Sequence, residues 1–466
     1  MKWVLYNLLF ALVYPFLLPG FLMRMLKRGG YAARMGDRFA LYPRDVLAKL
    51  IPDGKPVCGH GGSRTTDYVW IHAVSVGEVQ VAGQLMREWR KTDPSVRFCF
   101  STTSSTGWKM AEKEVNDGDV LIYNSLDFPN FVKSALKAIR PRAIVLTESE
   151  IWPNFILQAK KTGIPLFLIN ARVSDRSAPR YRFARYFFKD VFGAFTRIFA
   201  QSDLDASRIR AAMRPEDADK VVVTGSFKFD VARRNEAKEK ELREWIFGKE
   251  LKAQVEVEER RAKILLGGST WPGEDKVLLD IYKSILQLQL HTSTLLVLAP
   301  RHFEKADEVE ANIKAAGFTC IRRSRGESSD NFPTFQLSNL QTSQPVYLCD
   351  TTGEMMGLFG ICDVAFVGKS LCAHGSQNMI EPCLCGKPTF VGPYTENFRP
   401  VMSDLLAADA IVQVKDAEEL KSQIVEVFSR DGDAALGERA KAAVLNRRGV
   451  VPRCVQAIRE ELSAKK

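Results

Sequence analysis

Three acidic side chains follow predicted strands in the first half of the 466-residue chain. Glu78 ends the segment H-A-V-S-V-G-E, where a strand gives way to a helix, and Glu148 and Glu150 directly follow another apolar run. The helix dipole favours a carboxylate at a helix N-terminus, and such a group can take a proton from a hydroxyl. Glu78 is therefore a candidate general base; the alternative is that it only caps its own helix.

The loops around Glu148 and Glu150 carry further polar groups. Pro153 predicts a helix start just beyond the two acids, which makes their segment a strand-to-helix loop at the ligand-binding edge of a sheet. The next such loop, residues 170–174, contributes Arg172 as a cation and hydrogen-bond donor. Carboxylates and a cation together at one sheet edge are typical of a binding site for a polar molecule.

In the second half, residues 368–382 read G-K-S-L-C-A-H-G-S-Q-N-M-I-E-P between two short apolar runs. The pattern predicts a strand, a polar loop, a short helix and another strand, with the loop at the carboxyl end where ligands bind. Pro382 suits a first helical turn, which places Glu381 at the helix mouth, where it could accept hydrogen bonds from two ribose hydroxyls. The alternative is a connecting loop with helix-capping residues.

Four more loops at predicted strand ends combine glycine, serine and threonine with the cations Lys228 and Arg301. Backbone N–H groups that a ligand can approach closely, hydroxyl donors and positive charge are the groups that bind phosphate. We expect these loops to meet near residues 368–382; they are residues 224–230, 267–270, 299–302 and 350–355.

Regular alternation of apolar runs and amphipathic segments predicts the elements that position these loops. The pattern indicates an α/β protein with two doubly wound, Rossmann-like domains, the first with about six parallel strands. We place the first domain at residues 29–230, a charged, exposed linker helix at 231–263 and the second domain at 264–466. Two such domains facing a cleft form the GT-B arrangement of many glycosyltransferases, although fold alone does not give function.

The N-terminal segment, residues 1–28, is the most apolar part of the chain and is predicted to be a membrane anchor. Its apolar length is close to the ~20 residues that span a bilayer. Pro15 and Pro19 argue against one straight helix, so a kinked span and a shallow interfacial anchor both fit, with a buried core helix as the alternative. Basic residues follow the segment, which by the positive-inside rule keeps the rest of the protein cytoplasmic.

The net charge of +11 and a pI near 9.1 indicate an anionic partner. No Cys/His finger or RNA-binding signature is present, so nucleic acid is the weaker option. Residues 176–195 interleave arginines with aromatics, which suits an anionic membrane surface or, equally, an amphipathic helix that buries its aromatics. Nine cysteines without a C-x-x-C pair, and only five histidines, favour buried thiols in a reducing compartment and no zinc site.

Taken together, these segments resemble the Kdo transferases. Members of this family are membrane-attached glycosyltransferases that move 3-deoxy-D-manno-octulosonic acid (Kdo) from CMP-Kdo to a lipid A precursor in Gram-negative bacteria. The resemblance covers nearly the full length of the chain. The matching motifs are H-A-V-S-V-G-E at 72–78, E-x-E-I-W-P-N at 148–154, T-G-S-F-K-F-D at 224–230, A-P-R-H at 299–302, D-T-x-G-E at 350–354 and F-V-G-x-S…N-x-x-E-P at 366–382.

The resemblance implies a GT-B enzyme in which Glu78 is the general base of an inverting transfer. Arg301 would hold the CMP phosphate, while Asn378 and Glu381 would hold the nucleotide. The residues implied in positioning the acceptor or donor are Glu148, Glu150 and Arg172. The residues implied in CMP binding are Lys228, Ser269, Thr270, Pro300, Arg301, Gly353, Glu354, Met355, Ser370, Asn378 and Glu381.

The expected partners are CMP-Kdo, a lipid A precursor and an anionic membrane surface, with the catalytic domains on the cytoplasmic face of the inner membrane. No cofactor and no metal are expected, because CMP is already a good leaving group. Two alternatives stay open: a GT-B transferase that uses another nucleotide sugar, and a non-catalytic lipid-binding protein.

The chain departs from the family pattern at four positions. Trp271 and Gln377 stand where the family usually has histidine, and Lys369 and Ser376 stand where it usually has a glycine. Glutamine can still donate and accept hydrogen bonds but cannot become cationic, so a role for that histidine does not carry over to this chain.

Overall fold

The computed structural model describes residues 2–28, 32–50, 66–231, 233–248, 262–288, 294–328, 345–430 and 433–464. The chain divides into two compact units. The first unit consists of Met1–Asp230 and Gly449–Lys466, and the second unit of Val231–Arg448.

The first unit is built on a parallel sheet of seven strands in the order β3-β2-β1-β4-β5-β6-β7, where about six were expected. Its strands are β1 (Tyr68–His72), β2 (Arg97–Thr102), β3 (Val120–Tyr123), β4 (Ala143–Thr147), β5 (Leu166–Ala171), β6 (Arg197–Ala200) and β7 (Val221–Val223). Its first helices are α1 (Lys2–Arg28), α2 (Arg44–Leu50), α3 (Val76–Thr92), α4 (Ser105–Ala111) and α5 (Pro129–Ile139). They are followed by α6 (Pro153–Lys161), α7 (Ser177–Phe183), α8 (Arg185–Phe192), α9 (Asp203–Ala211) and α10 (Lys228–Val231), with 3-10 turns at Ala32–Phe39 and Pro215–Lys220.

The strands of this sheet are buried on both faces. In β1, Tyr68 and Trp70 pack into one apolar cluster, whereas the intervening Val69 and Ile71 pack into another. Because successive side chains of a strand point to opposite faces, helices must cover both sides of the sheet. This is why the strands read as continuous apolar runs in the sequence.

Helix α1 runs without interruption through Pro15 and Pro19 and covers the predicted anchor segment. One of its faces packs on the first unit: the ring of Phe10 lies 5.0 Å from that of Phe128, and Asn154 Nδ2 donates to Asn7 Oδ1 at 2.8 Å. Within the described part of the chain, no helix combines the length and the apolar character needed to cross a membrane.

The second unit carries another seven-stranded parallel sheet, in the order β10-β11-β9-β8-β12-β13-β14. Its strands are β8 (Lys263–Thr270), β9 (Thr294–Pro300), β10 (Thr319–Arg322), β11 (Pro345–Leu348), β12 (Val364–Val367), β13 (Thr389–Val391) and β14 (Val412–Gln413). Its helices are α11 (Glu236–Phe247), α12 (Glu274–Gln287), α13 (Ala306–Ala315), α14 (Met355–Ile361), α15 (Ile380–Leu384), α16 (Arg399–Ala407), α17 (Ala417–Ser429) and α18 (Ala434–Asn446), with 3-10 turns at Phe303–Lys305, Arg323–Arg325 and Glu396–Phe398.

The segment predicted as an exposed linker helix belongs to the second unit. Of residues 231–263, the structure describes Val231, residues 233–248 and residues 262–263. These residues contain α11. Leu242 and Trp245 of α11 are buried, and the Trp245 ring lies 5.3 Å from that of Tyr347 on β11. The high charge of the segment hid this apolar stripe, so the expectation of an exposed linker is corrected.

The last helix, α19 (Val450–Ala464), returns to the first unit, whereas the prediction assigned all residues from 264 onward to the second domain. Val451 and Ile458 of α19 pack in the same cluster as Val69 of β1. At the start of α19, the Asp230 carboxylate accepts from the backbone N–H groups of Gly449 and Val451, each at 2.7 Å. These contacts assign the C-terminal helix to the first sheet.

The strand orders locate one topological switch point in each sheet. In the first sheet, β1 pairs with both β2 and β4; in the second, β8 pairs with both β9 and β12. Ligands of doubly wound proteins bind at the carboxyl ends of the strands at such points. Glu78 and Glu148 follow β1 and β4, and residues 368–382 follow β12.

Candidate active site

Glu78 lies in the first turn of α3, where it also takes part in capping. Ser75 is the N-cap residue, and its hydroxyl accepts from Glu78 N at 3.3 Å and donates to Glu78 Oε1 at 3.0 Å. Glu78 Oε2 accepts from Val74 N at 2.9 Å and lies 3.4 Å from Thr147 Oγ1. The side chain is 8% exposed and is held at the end of β4 in a single orientation.

Glu148 follows β4 with a left-handed backbone, at φ 50°. Its carboxylate receives Arg172 Nε at 2.9 Å and Asn170 Nδ2 at 3.2 Å. Burial raises the pKa of the Glu148 carboxyl, the Arg172 charge opposes this shift, and the Glu78 charge adds to it. Glu148 and Arg172, both predicted to position the acceptor or donor, are thus brought together in the structure.

Glu150 lies on the other side of the same turn, against a buried histidine. Its Oε2 accepts from Trp152 Nε1 at 2.7 Å and lies 3.8 Å from His72 Nε2. Burial lowers the pKa of His72 to about 4, so its imidazole is neutral at physiological pH. The other ring nitrogen, Nδ1, is 2.9 Å from Ser101 Oγ. His72 belongs to the predicted motif, but no role had been assigned to it.

The three carboxylates form one electrostatic group, because the charge of Glu78 raises the pKa of both Glu148 and Glu150. Lys228 completes the group: burial lowers its pKa and the Glu148 charge opposes this shift. Lys228 was expected among the CMP-binding loops of the second domain. The structure places it in the first unit beside Glu148, so its position indicates a partner for these carboxylates.

Glu150 should make stability depend on pH. Burial and then the charge of Glu78 raise the pKa of Glu150 from 4.5 to about 7, against the Trp152 hydrogen bond. The folded state therefore favours the protonated acid, and this contribution is complete below pH 4.5 and is lost as the pH rises through about 7. We expect the free energy of unfolding of the wild type, relative to Glu150→Gln, to fall across this pH range in urea titrations.

Glu112 supplies the matched control for that measurement. It is an exposed glutamate whose Oε1 accepts from Trp108 Nε1 at 2.7 Å, so Glu112→Gln replaces a similar Trp-bonded carboxylate at the surface. A difference between wild type and Glu150→Gln that is constant with pH would contradict the prediction.

In the second unit, the segment after β12 is held by a residue that the sequence analysis did not select, Glu274. This side chain is fully buried at the start of α12. Its carboxylate accepts hydrogen bonds from five backbone N–H groups: Trp271 at 2.7 Å, Lys369 at 2.9 Å, Leu371 at 3.0 Å, Ser370 at 3.1 Å and Cys372 at 3.4 Å. Glu274 thus joins the two strand ends of the switch point, β8 and β12. The only signal in the sequence was an acid after a glycine at a helix start.

Ser370, predicted to contact CMP, uses its hydroxyl inside the protein. It is fully buried, and its Oγ donates to Val367 O at 2.5 Å and accepts from Gly392 N at 2.9 Å. The side chain therefore ties β12 to the end of β13, and the contact of Ser370 with CMP stays a prediction.

Asn378 and Glu381, the predicted nucleotide contacts, lie together. Asn378 Nδ2 donates to Glu381 Oε1 at 3.0 Å, while Asn378 Oδ1 accepts from Ile380 N at 3.2 Å. Burial raises the pKa of the Glu381 carboxyl, and the Asn378 hydrogen bond opposes the shift. The amide orients the carboxylate at the start of α15, as a pair that binds sugar hydroxyls requires.

Ser269, Thr270, Pro300 and Arg301 lie where β8 and β9 end. Ser269 has a left-handed backbone at φ 53°, and Arg301 N donates to Thr270 O at 3.0 Å, which ties the two strand ends together. The Arg301 side chain is exposed and forms no ion pair with any residue that the structure describes. Its guanidinium is therefore available for an anion, and the role implied by the sequence motif stays a prediction.

The predicted group of Gly353, Glu354 and Met355 divides between backbone and packing roles. Gly353 has φ 84°, a conformation that favours glycine. The Glu354 carboxylate is buried and paired with Arg323 at 3.3 Å, so its side chain serves the fold of the second unit. Met355 begins α14 and packs on Gly268: a Cβ at Gly268 would lie 2.9 Å from the Met355 methyl.

Comparison with known proteins places the chain in a family. Residues 33–231 match the family profile described as 3-deoxy-D-manno-octulosonic-acid transferase (kdotransferase). The chain is 30% identical to the 3-deoxy-D-manno-octulosonic acid transferase of Bordetella pertussis over 407 residues, 84% of this chain and 87% of that protein. It is 27% identical to the transferase of the same name from Haemophilus influenzae over 459 residues, 98% of each chain.

Among solved structures, a glycosyltransferase from Rickettsia africae matches with a TM-score of 0.53 at 14% identity, covering 85% of this chain and 98% of that chain. This similarity and the two parallel α/β sheets confirm the predicted GT-B fold class. The identity with the Bordetella protein and the profile match confirm the resemblance seen in the motifs. The chain belongs to the 3-deoxy-D-manno-octulosonic acid transferase family.

Proposed function

We propose that this protein transfers Kdo from CMP-Kdo to a lipid A precursor in lipopolysaccharide biosynthesis, with inversion at the anomeric carbon. Family membership supports Kdo as the transferred sugar. The observation that carries the mechanism is the group of Glu78, Glu148 and Glu150 at the switch point of the first sheet. A base is needed there, because a sugar hydroxyl attacks poorly until its proton is removed.

In the proposed reaction, an acceptor hydroxyl attacks the anomeric carbon of Kdo and gives its proton to Glu78. The new carbon–oxygen bond forms as the bond from the anomeric carbon to the phosphate oxygen breaks, and the electron pair leaves with CMP. Arg301 offsets the negative charge on the departing phosphate. Atoms and charge balance without a metal or a redox partner.

The hydrogen bonds of Glu78 leave room for the proton of the acceptor. A carboxylate offers about four lone-pair sites. Oε2 accepts from Val74 N and Oε1 from the Ser75 hydroxyl, whereas the single hydroxyl proton of Thr147 is shared with the nearer His72 O at 3.0 Å. Each oxygen therefore keeps a lone pair, while these contacts fix the orientation of the carboxylate.

The test is to incubate the purified protein with a lipid A precursor and either CMP-Kdo or a UDP-sugar, and to analyse the lipid by mass spectrometry. We expect the mass of Kdo to be added from CMP-Kdo and no product from UDP-sugars. Transfer from a UDP-sugar alone, or no transfer from CMP-Kdo, would reject the proposal.

We further propose that the first unit attaches to an anionic membrane through α1, on the cytoplasmic face of the inner membrane. The face of α1 opposite to the one that packs on Phe128 is apolar and exposed. The residues of this face are spaced so that their side chains lie on one side of the helix. These residues are Val4, Leu5, Leu8, Leu9, Leu12, Val13 and Phe16.

Helix α7, in the same unit, exposes a further apolar side chain. Phe183 is 95% exposed, and Arg180 and Arg182 stand on the same helix. Apolar side chains that insert at the level of the head groups, together with arginines that pair with anionic lipids, are typical of an interfacial anchor. An enzyme with a lipid-linked acceptor gains from this arrangement, since its substrate resides in the membrane.

Replacing Leu8, Leu12 and Phe16 with glutamine should lower binding to phosphatidylglycerol vesicles more than about tenfold. Each apolar side chain removed from water contributes about 1.5–3 kcal/mol, whereas glutamine keeps the helix propensity. Vesicle flotation measures the effect. The double variant Leu406→Gln/Leu445→Gln is the control, because these leucines are exposed in the second unit. Flotation of the triple variant at the wild-type level would exclude α1 as the anchor.

A further inference from the structure

Lys369 occupies a backbone conformation that is costly for a lysine. Its φ is 57°, in the left-handed region, where a residue with a Cβ loses roughly 1–2 kcal/mol relative to its right-handed conformation. Lys369 N donates to Glu274 at 2.9 Å, and Lys369 O accepts from Ser376 N at 2.7 Å. Both backbone groups are therefore fixed, and the direction in which the side chain leaves the loop is fixed with them.

The side chain of Lys369 lies on an aromatic platform. Its Nζ is 5.0 Å from the centre of the Trp271 ring, and that ring packs edge-on against His302, with 4.8 Å between ring centres. An ammonium over an indole face is attracted by the ring quadrupole. Thus two of the four departures from the family pattern, Lys369 and Trp271, contact each other.

No carboxylate balances this ammonium. Among the residues described, Lys369 Nζ forms neither an ion pair nor a hydrogen bond, and the same holds for the guanidinium of Arg301 at the end of β9. Its other near neighbour is Gly375, where a Cβ would lie 3.7 Å from the ammonium nitrogen. Lys369 and Arg301 thus both lack a carboxylate partner among the described residues, and they follow β12 and β9, the two strands that flank β8.

We infer that Lys369 is a donor-binding residue, which Trp271 positions to bind an anionic group of the nucleotide sugar. The inference rests on the proposed function, since CMP-Kdo carries two anionic groups, the phosphate and the sugar carboxylate. Lys369 and Arg301 would provide one cation for each of these two anions. This accounts for a lysine at a position whose backbone conformation favours glycine. Trp271 acts through Lys369 as a positioning residue.

The test compares Lys369→Met with wild type in the KM for CMP-Kdo and in inhibition by CMP. Methionine keeps the length of the side chain and removes its charge, so we expect the KM to rise about tenfold or more. If the inhibition constant of CMP rises equally, the phosphate is the bound group; if only the KM rises, the carboxylate is. Unchanged values for both overturn the inference.

Two further variants serve as controls for this test. Lys369→Gly removes the backbone strain, so the Tm should stay the same or rise while the KM rises, a combination that a folding defect cannot produce. Lys276→Met removes an exposed lysine on α12 and should leave the KM unchanged. Absence of product from the wild type rejects the proposed function and this inference together, whereas wild-type turnover with an unaltered Lys369→Met rejects the inference alone.

Discussion

Glu78→Gln is expected to lower kcat for Kdo transfer by about 10²–10⁴-fold, the usual contribution of a general base, and to leave CMP binding unchanged. Glutamine keeps one oxygen acceptor for Val74 N, and its NH₂ group can donate to the Ser75 hydroxyl, which reverses that hydrogen bond, so the capping interactions of α3 survive. It cannot take the proton of the acceptor hydroxyl. Initial rates with CMP-Kdo, and calorimetric titration with CMP, measure the two effects separately.

The control for Glu78→Gln is the same substitution at Glu419, which has matching geometry. Glu419 Oε2 accepts from Lys415 N at 2.8 Å, and Glu419 N donates to the N-cap Asp416 at 2.9 Å, at the start of α17. Glu419→Gln should leave kcat and Tm near wild type. If Glu78→Gln behaves likewise, Glu78 is only a capping residue and the proposed mechanism is wrong.

The strands could be predicted because their physical signal is local. Strands of a parallel sheet buried on both faces must be apolar throughout, and such a run is visible in a few residues of sequence. The alternation of apolar runs accordingly predicted two parallel sheets, with about six strands in the first where the structure has seven. Where charge dominates the local pattern, as in α11, the buried stripe of Leu242 and Trp245 was missed.

The position of α19 could not be predicted, because it depends on contacts between distant parts of the chain. Asp230 binds backbone groups of Gly449 and Val451, more than 200 residues further on, and nothing local marks that pairing. Because α19 follows the second domain in sequence, the prediction assigned it to that domain. In the structure, its apolar contacts with the first sheet place it in the first unit.

The candidate site shows the same division between local and distant signals. Glu381 was placed at a helix start by the local pattern, and the family motif implied that it acts with Asn378, three residues earlier; the two side chains are hydrogen-bonded in the structure. Ser370 was assigned to CMP binding through the family motif, and its residue type does not separate this role from that of a bridge between backbone segments. Only the structure shows its contacts with Val367 and Gly392.

Glu274→Gln should cause the second large effect, a loss of about 2–5 kcal/mol in stability of the switch-point segment. Oε2 of Glu274 accepts from Trp271 N and Lys369 N, and Oε1 accepts from the three N–H groups that follow, at residues 370–372. Glutamine has one carbonyl oxygen, so its NH₂ group must face at least two buried donors. Each buried donor left without a partner costs about 1–3 kcal/mol.

Hydrogen exchange measured by mass spectrometry locates this effect. We expect amides 369–372 to exchange faster in Glu274→Gln, and CMP affinity to fall with the order of the segment, while amides of β1 in the first unit keep their protection. Asp275→Asn is the control, because this equally buried neighbour accepts one backbone N–H, from Gly273 at 3.1 Å, and one side-chain amide, from Asn312 at 2.7 Å. Unchanged exchange at 369–372 would show that the loop is held by its own backbone contacts, such as Ser376 N to Lys369 O, and that Glu274 is dispensable.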